Sequence, residues 1–444
     1  VAATSGQDSA TTAVPVRKQI AYSANQLGIN LLWQAFNTVA VYFYVTDLKV
    51  SGVAISAGLV VYGFVNAFLN LAAGHISDRT RTRMGRRIPY VLFCTLPFGV
   101  TFFFLFAPPP GSTELLTIYF FALVFLFDLF FTFTALNVGA LYPEMYQEKK
   151  SRARVSALQQ MFTIVGLILG VALSKSLGQT LGWHAMAAIF GVIGVASLFV
   201  SLYGSFENPL YREQSSFHWK EAVVATFANR RFVMFVVADF LIQLCTTMLT
   251  TVAAFYTKYV VALSPLEYSI FFGSVFIVAI PVSFVWARVS VRLTAARAAF
   301  VATVLYTVTI AAFIVDASPL AVMLTGVCLG LSVSGFLVLL NILLAEVIDH
   351  DAVRTGRRRE GMYLGVNGFL VRLGLSVQYG IMAIFFAVSG YNAHLAVQSA
   401  STVLGFRLLM GALPIVFLIL ALIFLARYVR QRDTAYPPAT TEGS

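Results

Sequence analysis

The sequence predicts an all-α membrane protein with twelve transmembrane helices in two six-helix halves and both termini cytoplasmic. Three observations carry this. Of 444 residues, 59% are hydrophobic and only 11% charged, against roughly 25% charged in a soluble globular chain. The apolar residues gather in runs that match the bilayer core, which takes about 20 residues of helix to cross. And 25 of the 30 Lys and Arg fall in alternate loops and the two tails, the pattern that marks cytoplasmic segments. So little polar surface cannot clothe a soluble body of this size. Soluble enzymes and nucleic-acid-binding factors are therefore excluded.

The candidate spans are 20–46, 52–76, 89–107, 115–141, 155–178, 184–204, 232–258, 266–287, 297–315, 319–345, 362–389 and 403–427. They are continuous rather than alternating, which excludes barrel strands. Residues 1–16 are rich in Ala, Thr and Ser and lack the layout of a cleaved signal, so 1–19 read as a disordered tail. The segment 205–231 is the longest internal linker and divides the spans into 20–204 and 232–427, with 428–444 a second tail. Two six-helix halves are the architecture of a secondary transporter rocking about a midplane site. No Walker-type loop points to an ATP-driven pump. Cys94, Cys245 and Cys328 lie in apolar segments, an odd count that suits packing rather than disulfides or metal.

The loops carry motifs. After the second span come Gly74, Asp78, Arg79, Gly85, Arg86, Arg87 and Pro89. Glycine lets a helix end pack closely, the Asp can cap or pair, and Pro89 suits the first turn of the next helix. The set resembles the cytoplasmic gate motif of the major facilitator superfamily. Three further segments narrow the resemblance: Ala140-Leu141-Tyr142-Pro143-Glu144-Met145 with Arg152 and Arg154; Glu346, Asp349 and Asp351 leading into Thr355-Gly356-Arg357-Arg358-Arg359-Glu360-Gly361; and Gln398-Ser399-Ala400 with Gly405, Arg407 and Pro414. Together, over about residues 20–430, they resemble the glycoside-pentoside-hexuronide:cation symporter family, which contains melibiose permease. The resemblance implies a major facilitator fold importing sugars or glycosides with a coupling ion, and a cytoplasmic gate at the motif residues.

Polar residues inside a span are candidate site residues. Gln26, Asn30, Gln34 and Asn37 share one face of the first span, with Trp33 beside them for a sugar ring to stack on. Tyr62, Asn66, Asn70 and Gly74 share one face of the second. Either stripe can line a cavity or glue helices together. The resemblance implies two ion-binding carboxylates on the second span, but the matching residues are Asn66 and Asn70, and the acidic sugar-binding position of the first span matches Asn30. Neutral amides supply no charge against dehydration of Na⁺, so sodium coupling at this site is doubtful. Arg372 in the eleventh span needs an anion or a wet cavity. Asp128 and Asp239 are the acids left inside spans. Three readings stay open: Arg372 pairs with one of these acids as a lock, one acid carries coupled protons, or Arg372 binds an anionic substrate. Asn137 is expected on the far side of its helix from Asp128. Asn367 joins the candidate ligands. Glycines Gly365, Gly368, Gly374 and Gly380 suggest close packing of the eleventh span, with possible bending.

The expectation is an inner-membrane secondary transporter of a small polar solute, a sugar or glycoside, working by alternating access. It is expected to be monomeric and to contact membrane lipid, with no enzymatic activity, no cofactor and no nucleic-acid partner. The coupling ion, H⁺ or Na⁺, stays open. The rivals are a lysolipid carrier and a membrane sensor or scaffold that does not transport.

Overall fold

The computed structural model describes residues 14–146, 148–207, 227, 229–315, 318–355 and 360–435. The chain is helical throughout. The first segment is broken: α1 (Val16–Ser23), α2 (Asn25–Tyr42) and a π-helical turn (Phe43–Asp47). Then follow α3 (Gly52–Arg79), α4 (Ile88–Leu105), α5 (Thr113–Met145), α6 (Lys149–Leu167), a second π-turn (Ile168–Leu173), α7 (Ser174–Thr180) and α8 (Trp183–Gly204). The other half holds α9 (Arg230–Tyr259), α10 (Pro265–Leu293), α11 (Ala295–Val315), α12 (Pro319–Thr355), α13 (Glu360–Val388), α14 (Ala400–Arg407), a third π-turn (Leu408–Ala412) and α15 (Leu413–Ala435). Among the described residues, eleven helical stretches are long and apolar enough to cross a membrane. The segment Val16–Asp47 is not among them, because amides dilute its apolar run.

Local chemistry sets several helix starts. Side-chain oxygens of Ser51, Ser112, Asn229 and Ser399 accept N–H groups of the first turns of α3, α5, α9 and α14. Ser264 and Glu267 form a reciprocal capping box on α10. Pro89 stands in the first turn of α4. Two tail boundaries move: helix begins at Val16, before the expected 20, and runs past 428 to Ala435. Each extension carries polar residues that a hydropathy run ignores but a helix tolerates.

Large apolar side chains such as Phe93, Val192 and Ile118 are two-thirds exposed, as a lipid-facing exterior allows. Inside the first half an aromatic cluster fills the space between α2, α4 and α5, with Phe36, Phe98, Phe102 and Phe127 almost fully buried. The halves meet along three seams: α3 against α13, α2 against α9, and α10 against α7 and its preceding π-turn. On the first seam, a Cβ on Gly63 would lie 2.8 Å from the Ser376 backbone nitrogen, so the close-packing glycine sits on α3. The glycines of α13 do not play the expected role. A Cβ on Gly365 or Gly368 would meet nothing within 4 Å, and on Gly374 or Gly380 only ordinary contacts.

Candidate functional site: a polar cluster between the halves

Where α3, α5 and α13 meet, Asn66 bridges two charges. Its Nδ2 donates to Asp128 Oδ1 at 2.6 Å, and its Oδ1 accepts from Arg372 Nη1 at 3.4 Å. Asn66 is fully buried and Asp128 1% exposed. The Arg372 charge acts on Asp128 across this amide, and Tyr62 stands beside both. Thr132, one turn along α5, is also buried, its hydroxyl without a partner. The companion amide does not join the cluster: Asn70 Nδ2 turns back to the Asn66 carbonyl at 2.8 Å. Asn137 likewise bonds within α5, to the Phe133 carbonyl at 2.8 Å. Asp239 lies elsewhere, on α9, 3% exposed, with Asn367 of α13 as its polar neighbour. Arg372 thus faces Asp128.

The stripe on α2 lies between two packing faces. On one side Gly166 and Gly170 approach the Cβ atoms of Asn30 and Gln34. On the other, Trp33 stacks on Phe131 with ring centroids 4.2 Å apart and planes 11° from parallel. Gln26, Asn30, Trp33 and Gln34 remain half-buried. Asn30 Nδ2 bonds the Gln26 carbonyl at 2.8 Å, and Thr163 reaches the Gln26 side chain at 3.4 Å. Among the described residues, Gln34 makes no side-chain hydrogen bond. Asn37 ends the stripe. Its Nδ2 bonds the Trp33 carbonyl at 2.8 Å, and its own carbonyl accepts from Thr251 of the other half at 3.1 Å, with Gln378 on the Thr251 hydroxyl at 2.7 Å.

From that level to the end away from the termini, the halves are closed. Lys175, 2% exposed, donates to the Ala254 carbonyl and the Thr257 hydroxyl at 2.8 Å each, with its ammonium 4.6 Å from the Tyr268 ring centroid and 5.0 Å from that of Tyr42. Ser176 and Ser269 hydroxyls lie 2.6 Å apart, and Ser269 donates to the Ala172 carbonyl at 2.9 Å. Lys49 bonds the Ala393 carbonyl, and Thr46 lies 3.5 Å from the Tyr391 hydroxyl. Asp47 accepts from the Trp183 indole at 2.7 Å.

At the termini end of the first half, Arg86 Nη2 lies 2.5 Å and Arg87 Nε 3.3 Å from Glu144 Oε1. Glu207 completes the arrangement. Its carboxylate accepts the backbone N–H groups of Arg86, Arg87 and Ile88 at 2.8, 2.6 and 2.9 Å, at the start of α4. Gly85 makes room, with φ +108°, where a Cβ would lie 2.4–2.5 Å from that carboxylate. Arg152 sits over the Tyr142 ring at 5.8 Å. The expected close packing at Gly74 is not seen; a Cβ there would meet only Leu136, at 3.8 Å. Arg79 and Asp349 are exposed and Glu346 half-buried. Arg357 lies outside the described residues, as do the side chains of Asp78 and Glu360. Lys175 and Glu207 were assigned no site role by sequence reasoning. A lone Lys in an apolar run was the available signal for the first.

Comparison with known proteins fits this architecture. A family model described as MFS/sugar transport protein matches residues 21–430. The isoprimeverose transporter of Lactiplantibacillus pentosus is 23% identical over 87% of this chain and 83% of its own. The glucuronide carrier protein homolog of Escherichia coli K12 is 23% identical over 93% of this chain and 92% of its own. Among solved structures, a bacterial homolog of the human lysosomal transporter Spinster, in an inward-facing and occupied conformation, aligns with a TM-score of 0.69 at 14% identity, covering 94% of this chain and 96% of that one. The chain belongs to the MFS/sugar transport family.

Proposed function

We propose that this family member carries a sugar or glycoside across the plasma membrane by alternating access, without sodium at the Asn66–Asn70 position. The carrying observation is a polar cluster at mid-depth, shared by both halves, below a closed end and beside a half-buried amide stripe with an aromatic ring. Hydroxyl-rich solutes need many neutral hydrogen-bond partners and an apolar face to stack on. Gln26, Asn30, Gln34 and Trp33 supply both. Asp128 and Arg372 then close the site from the α3–α13 seam. The names of the isoprimeverose transporter and the glucuronide carrier homolog support a sugar-type substrate.

In this reading Val16–Asp47 is the twelfth crossing and both termini face the cytoplasm, supported by the 25 basic residues in the tails and alternate loops. The described state is then closed at its outer end. Sodium independence follows from the cluster's charge balance. Asn66 is engaged at both ends of its amide, Asn70 bonds its own helix, and one carboxylate faces one guanidinium. That leaves no net negative site to offset dehydration of a cation.

Counterflow of labelled glycosides in proteoliposomes tests this reading. Exchange that is indifferent to replacing Na⁺ by choline, and lost in Gln34→Leu with folding intact, supports it. Sodium-stimulated exchange, or binding without exchange, refutes it. One observation favours a second reading, an amphiphilic substrate. An open apolar cavity of about 380 Å³ lies where α3, α9 and α13 meet, lined by Phe64, Phe240, Leu370 and Leu373 among others. Exchange of a lysolipid in the same vesicles, blocked by Leu373→Trp, would favour it.

A further inference from the structure

We propose that the end of α10 nearest the chain termini holds an anionic phospholipid, its phosphate between the Arg288 and Arg292 guanidinium groups and one acyl chain along Phe284 and Ile277. A shallow cavity of about 430 Å³ lies there, lined by Phe284, Ala287, Arg288, Val291 and Arg292. These residues are spaced three and four apart and so share one face of the helix. Two other faces of α10 are already used. Pro265 and Ser269 meet the opposite half. Phe271 and Val278 meet α12, where Cβ atoms on Gly326 and Gly330 would lie 2.8 Å from them. At 100° per residue, Phe284 points about 60–100° away from the first face and about 120–140° from the second. This third face is a continuous apolar track. Ile277 is 63%, Phe284 65% and Val291 86% exposed.

Charge decides the occupant. Arg288 and Arg292 are exposed one turn apart at the end of the track, where basic side chains reach the headgroup level. From Ile277 to Arg288 the helix rises about 16 Å, the length of an acyl chain of about a dozen carbons. A ligand with a chain that long and an anion at its end is a phospholipid. The inference rests on reading the chain as membrane-spanning, but not on transport. Its test therefore reads lipid binding alone, and can fail while the transport reading stands.

Purified full-length protein in detergent is titrated with phosphatidylglycerol, phosphatidylethanolamine or inorganic phosphate, with bound lipid counted by native mass spectrometry. Phosphatidylglycerol is expected to bind in preference to phosphatidylethanolamine. R288Q/R292Q should weaken it about thirtyfold, about fivefold for each Arg. R81Q/R83Q removes the same charge from the exposed turn after α3 and should change it little. Phe284→Ala should weaken binding with both Arg in place, which covers the case in which the Arg double variant fails to fold. Equal weakening by the two double variants would overturn the proposal, as would competition by inorganic phosphate or indifference to Phe284→Ala.

Discussion

The Glu207 anchor can be broken from two sides. Gly85→Ala places a methyl carbon 2.4–2.5 Å from the Glu207 carboxylate, which must then leave. It also forces a non-glycine residue to φ +108°. Strain at such a φ costs about 2 kcal/mol. Three N–H groups share the carboxylate. With water replacing part of what is lost, their bonds contribute about 3 kcal/mol together. Glu207→Ala loses the second term only, and in that background Gly85→Ala should cost only the strain. The coupling between the two sites is thus about 3 kcal/mol, or about 150-fold in a local opening equilibrium. Hydrogen exchange at the amides of Arg86, Arg87 and Ile88 reads it directly. Glu207→Ala should speed exchange by that factor and Gly85→Ala by at least as much, and the double variant should add little to Gly85→Ala alone. Protection retained in Gly85→Ala, or strictly additive effects, would refute the reasoning.

Three further predictions follow from the halves and their cluster. A Ser176→Cys/Ser269→Cys pair, whose hydroxyls now lie 2.6 Å apart, should oxidise readily once the three native cysteines are replaced; transport should stop on oxidation and return on reduction. Asp128→Asn and Arg372→Gln should each destabilise by about 3 kcal/mol as uncompensated buried charges, and their combination should recover melting temperature without recovering transport; a double variant as unstable as the sum of the singles would break the link through Asn66. Trp33→Phe keeps a ring on Phe131 but shortens the stacking surface, so KM for a glycoside should rise up to about tenfold with the melting temperature nearly unchanged; an unchanged KM would remove Trp33 from the site.

Hydropathy and charge made most of the fold legible, because lipid imposes one solution on every crossing. The first span, 20–46, is helical as expected, although its amides keep Val16–Asp47 below the apolarity of the other eleven stretches. The π-turns at Phe43–Asp47, Ile168–Leu173 and Leu408–Ala412 left no sequence signal, since apolar residues continue through them. Spacing put Asn66 and Asn70 on one face, yet only Asn66 reaches Asp128. Spacing gives direction and not partners. The glycines of α13 were misread for the same reason, since crowding depends on the neighbour and the neighbour brings its own glycine at Gly63. Lys175 could not be assigned, because its partners Ala254 and Thr257 lie 79 and 82 residues away.

Under the proposed alternating access, the depth of each contact between the halves decides which of them a rocking motion must break. Along α3, Asn66 lies 14 residues from Gly52, about 21 Å of rise. Arg372 lies a similar distance from the far end of α13. The Asn66–Arg372 contact therefore sits near the pivot, and the Lys175 and Ser176 contacts sit about 20 Å out along the lever. A shift of about 3 Å, enough to admit a layer of water at Lys175, needs a rotation of only about 8° at that radius, and it leaves mid-depth atoms nearly where they were. The cage around Lys175 suits this duty. Its ammonium gives up two hydrogen bonds and the face of Tyr268 on opening, and regains the hydration that burial had removed. The opposing terms are each several kcal/mol and nearly cancel. The pivot has the opposite requirement, an unbroken close contact, and there α3 presents Gly63 to the backbone of Ser376. A Cβ at that position would lie 2.8 Å from the Ser376 backbone nitrogen, whereas one at Gly365 or Gly368 would meet nothing within 4 Å.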